Sequence, residues 1–174
     1  MVGGFCMKKC GQRCVAQILL LALCLSGLSG CGKEMAPSDI YDAFSARYQL
    51  PAGLVYQKSA KEGEERYLSR DTFDTLYQRI DGTDDWDEII DMVLWQGMRS
   101  GKVCEMGIFL CVDRECAESV VRLCQNRLDM ILSLESYIDT TCAKDARLFI
   151  TGKTVIFLVL EDNQKAERII KRIL

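Results

Sequence analysis

The chain has 174 residues, with 22 Lys+Arg against 25 Asp+Glu and no histidine. The missing histidine excludes Ser-His-Asp and Cys-His nucleophile systems, HExxH zinc sites and the commonest general base. The spacing also holds no P-loop and no Rossmann glycine fingerprint, so no cofactor is expected.

In chain order, Lys8, Lys9 and Arg13 come first and are the only charges before Lys33. The stretch Cys14–Gly32 then runs 19 residues without a charge. A basic start, a dense apolar segment over Val15–Leu25 and small residues after it are the order of a secretory signal. Its end, Leu28-Ser29-Gly30-Cys31, resembles the bacterial lipobox: an aliphatic residue, two small ones and a cysteine. That resemblance implies a diacylglyceryl (palmitate-bearing) group on Cys31, recognition through Leu28, Ser29 and Gly30, and cleavage before Cys31. The expectation is a signal peptide over 1–30, a lipidated tether over 31–37 and a single domain over 38–174. Several acyl chains would hold the protein at the outer face of the cytoplasmic membrane, where one chain alone binds marginally. The alternative is an uncleaved span, because about 20 apolar residues cross a bilayer. Gly27, Gly30 and Gly32 weaken that reading. Either way the basic residues stay inside and the body lies outside the cytoplasm.

Without residues 1–30 the body keeps 144 residues and 19 Lys+Arg against 25 Asp+Glu, net −6. That length buries a core, and the acidic balance argues against nucleic acid as a partner. Residues 38–50 offer Ser38 or Asp39 as N-cap, with Ile40, Tyr41, Phe44 and Tyr48 at helical spacing. Pro51 and Gly53 end that helix, and 57–68 reads as a solvated loop. Residues 71–80 place Phe73, Leu76, Tyr77 and Ile80 on one helical face. Residues 83–98 read as a third helix, with Asp85 and Glu88 as a capping box. A strand follows over 103–112. A long helix over 114–138 carries the stripe Ala117, Val120, Val121, Cys124, Leu128, Ile131 and Tyr137 or Ile138. A hairpin over 146–160 turns at Gly152-Lys153, and a last helix is capped by Asp162 or Asn163. The pattern predicts an α+β, two-layer domain: N-terminal helices, then β-α-β-β-α with a small, mostly antiparallel sheet.

Residues 105–128 followed by 146–174 resemble the C-terminal half of a family of uncharacterised bacterial lipoproteins from Gram-positive anaerobes. The likeness spans roughly 38–174, weakly before 100. It implies the same address and fold and carries no catalytic residues. The many cysteines of this chain depart from that family.

Ten cysteines occur. Cys6, Cys10 and Cys14 share a helical face but belong to the leader, as does Cys24. In the body, Cys104 and Cys111 lie about 23 Å apart along a strand, and Cys116 and Cys124 about 12 Å apart along a helix. Both separations are too long for a disulfide, which leaves Cys111–Cys116, a link from Cys142, or buried reduced thiols. With no C-x-x-C, the usual redox and zinc signatures are missing. Asp81, Asp84, Asp85 and Asp87 suggest a cation site, yet Trp86 stands where an EF-hand needs glycine, so no metal is assigned. Glu105, inside an apolar strand, is the acid that a carboxylate-based enzyme would use; otherwise it sits at an edge or pairs with an arginine such as Arg147. Trp86, Trp95 and Met98 are candidates to line a binding groove.

The sequence reading is therefore a lipid-anchored lipoprotein, a non-enzymatic interaction or accessory module with an unidentified membrane or cell-surface protein as partner. The alternatives are a small extracytoplasmic enzyme using carboxylates or a thiol, and a small solute-binding lipoprotein.

Overall fold

The computed structural model describes residues 34–77, 85–97 and 101–174, with the backbone alone at Asp85. The expectations at Cys6, Cys10, Cys14, Cys24, Leu28, Ser29, Gly30, Cys31, Ile80, Met98 and Asp81 to Asp84 lie outside them. A compact unit begins at Met35 and ends at Leu174. Its elements are α1 (Pro37–Ser45), β1 (Gly53–Gln57), α2 (Arg70–Tyr77), α3 (Asp85–Glu88), β2 (Ile89–Gly97), β3 (Glu105–Cys111), α4 (Arg114–Ser133), α5 (Thr141–Lys144), β4 (Arg147–Thr151), β5 (Thr154–Val159) and α6 (Asn163–Ile173).

The strands form one antiparallel sheet in the order β1-β2-β3-β5-β4. β3 and β4 therefore run parallel with β5 between them, and α4 makes the crossover. The α+β class and the antiparallel sheet are as expected. The helices, however, divide between the two faces, so the sheet is the middle of three layers rather than one of two. On the first face, Arg127 of α4 meets Glu105 of β3, and Tyr77 of α2 meets Phe109 of β3 edge to face. On the second, Glu167 of α6 pairs with Arg147 of β4, and the Tyr48 hydroxyl, just after α1, accepts from the Asp162 amide.

Burial follows from that layering. All six residues of β5 are buried, as are six of seven in β3. A strand covered on both faces reads as a continuous apolar run rather than an alternation. The same effect explains one correction. The expected helix over 83–98 is a four-residue helix, α3, and then strand β2, whose Met92, Val93, Leu94 and Trp95 are all buried. A short apolar run does not distinguish a buried helix from a doubly covered strand. β1, a five-residue edge strand paired to β2, was not anticipated either.

α1 starts at Pro37, within the stretch read as tether. Ala36 is its N-cap without a side-chain bond, and proline stands at the first turn, where its missing N–H costs nothing. α4 begins where Asp113 accepts from the Cys116 amide at 2.9 Å and buries Cys116, Ala117, Val120, Leu123, Cys124 and Ile131. It ends at Ser133, short of 138, and Tyr137 is 85% exposed rather than on the core stripe. The hairpin turns where expected: Thr151 pairs with Thr154 and Gly152 has φ +61°, which glycine adopts without penalty. α6 is capped by Asp162, which accepts from the Lys165 amide.

Gly107, in the middle of β3, leaves the space that Phe109 and Tyr77 fill. A Cβ there would lie 2.5 Å from Phe109 Cε2 and 3.3 Å from the Tyr77 hydroxyl. Both rings are buried and cannot swing aside. Gly107→Ala is expected to destabilise the body by about 1–3 kcal/mol through overpacking, read as a lower urea midpoint.

Candidate functional site

The N-terminal end of β3 gathers the chemically distinctive groups. Successive residues of a strand point to opposite faces, so Glu105 and its neighbour Cys104 diverge. Glu105 turns to α4, where Arg127 grips it in a fork: Nε lies 3.0 and 3.2 Å from the two carboxylate oxygens and Nη2 lies 2.7 Å from Oε2. Nη1 of the same guanidinium donates to the Leu76 carbonyl at the end of α2, at 3.1 Å. Glu105 is 4% exposed. Burial lowers the Arg127 pKa, but the hydrogen bonds and charge of Glu105 outweigh it, so the guanidinium stays charged more firmly than usual. The pair is closed and neutral, joining β3, α4 and α2.

Around it stand Tyr77 and Cys124, both fully enclosed. Burial drives the Tyr77 hydroxyl well above the ordinary phenol range, and Cys124 well above the ordinary thiol range. Neither group is a nucleophile at neutral pH.

On the other face, the Cys104 and Cys142 sulfurs are 3.3 Å apart. Cys142 lies on α5, and its carbonyl accepts from Asn163 Nδ2 at 2.8 Å while Asn163 Oδ1 accepts from the Leu160 amide. Burial, then the contact with Cys142, pushes the Cys104 thiol up to about 12. Cys111, Cys116 and Cys124 are buried as well.

Beside α5 an open polar cleft of about 390 Å³ is lined by Glu135, Ser136, Ile138, Asp139, Thr140, Thr141 and Lys144. The Asp139 carboxylate accepts from the backbone amide and hydroxyl of Thr141, which draws its pKa below the usual carboxylate range.

The sequence candidates do not converge. Glu105 pairs with Arg127, not Arg147, which instead binds Glu167 on the opposite face. Trp95 is 2% exposed and packs against Gly53. Its rung partner is Met106, on the face away from Glu105. Trp86 is half-buried near the far end of β3. Its ring lies 5.3 Å from that of Phe73, with Lys58 Nζ 4.7 Å above it. Lys58 also donates to the Trp86 and Ile89 carbonyls. No common groove joins Glu105, Trp86 and Trp95. The thiol pair and the Thr140–Thr141 cleft are what sequence reasoning missed. Cys142 was held open as a disulfide partner, but nothing in the spacing singles out Cys104.

Comparison of the chain with protein families, with curated proteins and with solved structures finds no match.

Two outcomes follow from the geometry. Arg127→Met leaves a buried carboxylate without its counter-ion and is expected to cost about 3–5 kcal/mol, whereas Glu105→Leu with Arg127→Met together is expected near neutral. Urea unfolding of the three chains reads the difference. Above pH 9 the body is expected to lose stability. The unfolded chain ionises thiols near 9.0 and phenols near 10.0, while folded Cys104, Cys124 and Tyr77 hold their protons longer. The unfolded state then binds fewer protons, so stability that is complete below pH 9 falls as pH rises towards 12. Urea midpoints between about pH 7.5 and about pH 10.5 check this under reducing conditions.

Proposed function

We propose that this chain is a lipid-anchored lipoprotein at the outer face of the cytoplasmic membrane, whose body is a non-enzymatic interaction or accessory module. The observation that carries the proposal is Leu28-Ser29-Gly30-Cys31, placed directly after a basic start and an uncharged apolar stretch. Two features of the body support the second half of the reading. The one acid inside the central strand is neutralised by Arg127. The five body thiols are all buried, which suits packing rather than nucleophilic attack. Among the described residues no helix is long and apolar enough to cross a membrane. The proposal extends to the family likeness: an uncharacterised group of lipoproteins that share a strand–helix–hairpin–helix half.

Labelled palmitate tests the anchor. The wild-type chain is expected to take up label in a bacterial host with lipoprotein processing, and Cys31→Ala is expected to take up none and to keep its leader. Equal label in both chains, or none in the wild type, overturns the reading. The module half is tested by crosslinking the anchored protein in intact membranes. One partner recovered repeatedly, and lost when the cleft is altered by Lys144→Glu, supports it. Repeated recovery of no partner counts against it.

A further inference from the structure

We infer that Cys104 and Cys142 are a disulfide-forming pair that staples the start of β3 to α5 as a permanent structural bridge. Three observations converge. The sulfurs already stand 3.3 Å apart, so a bond of about 2.05 Å needs a closing movement of about 1.3 Å, within reach of small side-chain rotations. The backbones on either side are tied: the Val103 amide donates to the Asp139 carbonyl and the Asp139 amide to the Gly101 carbonyl. Those bonds hold the two cysteines opposite each other although they are 38 positions apart in sequence. Asn163 then links the Cys142 carbonyl to the Leu160 amide, so α5 is fixed from its other side too.

The chemistry balances with an organic disulfide, RSSR, as oxidant. One cysteine thiolate attacks RSSR, forming a mixed disulfide and releasing RS⁻, which takes up a proton as RSH. The second cysteine, losing its proton, attacks the protein sulfur of that mixed disulfide and expels the second RSH. The protein gives up two electrons and two protons, and RSSR becomes two RSH. In the folded body both cysteines are 4% exposed and the Cys104 thiol is a poor source of thiolate. The bridge therefore closes while the segment 134–144 is still docking, and afterwards turns over slowly. That kinetic asymmetry makes it a staple and not a redox-active centre. It also fixes Thr141 and Lys144, which flank Cys142 in the wall of the polar cleft.

In the cell the bridge rests on the export proposed above, since disulfides persist in oxidising compartments; its formation in the test tube does not. The full chain, reduced and unfolded in detergent and denaturant, is refolded in a buffer of reduced and oxidised glutathione, and the remaining thiols are alkylated. Tryptic peptide 103–114 is expected joined to 128–144, with fragmentation placing the link at Cys104 and the alkyl group on Cys111. The oxidised protein is expected to melt about 10 °C above the reduced one. Cys104→Ser and Cys142→Ser should each abolish that shift, while Cys111→Ser keeps both link and shift. Both cysteines alkylated after oxidative refolding, or a link joining another pair, overturns the inference. Failure here speaks against the bridge alone, and failure of palmitate labelling against the anchor alone.

Discussion

The constraint from which the rest follows is that β3 is covered on both faces. A strand in that position has no side turned to water, so each residue must be apolar or bring its own partner. Met106, Ile108, Phe109 and Cys111 satisfy the first condition. Glu105 satisfies the second, with a guanidinium that reaches it through three hydrogen bonds. Gly107 answers a different need, giving up its side chain so that a ring can cross the strand.

The ion pair does more for specificity than for net stability. A buried pair of opposite charges costs much of its attraction in desolvation, whereas a mismatch is severe. Glu105 and Arg127 therefore act as a registration mark: α4 has one position along β3 at which the carboxylate and the guanidinium both close. The contact with the Leu76 carbonyl passes the same alignment on to α2. Helix placement on this face is set at one polar point within an apolar surface.

The second half of the chain was largely legible in its residues, because its signals are local. Asp113 caps α4, Gly152 takes a positive φ in a two-residue turn, and Asp162 caps α6. The first half was harder for a physical reason. Met92 to Trp95 is apolar and buried on both sides because β2 has neighbours above and below, and that erases the alternation that marks a strand. The partner of Glu105 was within reach. Arg127 stands three residues after Cys124 and four before Ile131, on the inward stripe of α4, where an arginine needs a buried acid. Arg147, the arginine given as an example of a partner for Glu105, lies on β4, and β5 separates it from β3. The thiol pair had no such signal, since proximity across 38 positions leaves no period to read.

The placement of β5 between β3 and β4 also governs the order in which the chain can assemble. α4 and the β4–β5 hairpin are local and form on microsecond timescales. The β2–β3 pair needs only a short connection. The β3–β5 seam joins residues such as Gly107 and Phe157 and must close a long loop before any contact repays the lost chain entropy. The β2–β3 pair on one side and α4 with the β4–β5 hairpin on the other thus meet along a single line. A chain arriving vectorially, N-terminus first, holds β3 with an unpaired edge until its last strands emerge, so the interval before that seam closes is when it is most open to pairing with the wrong strand.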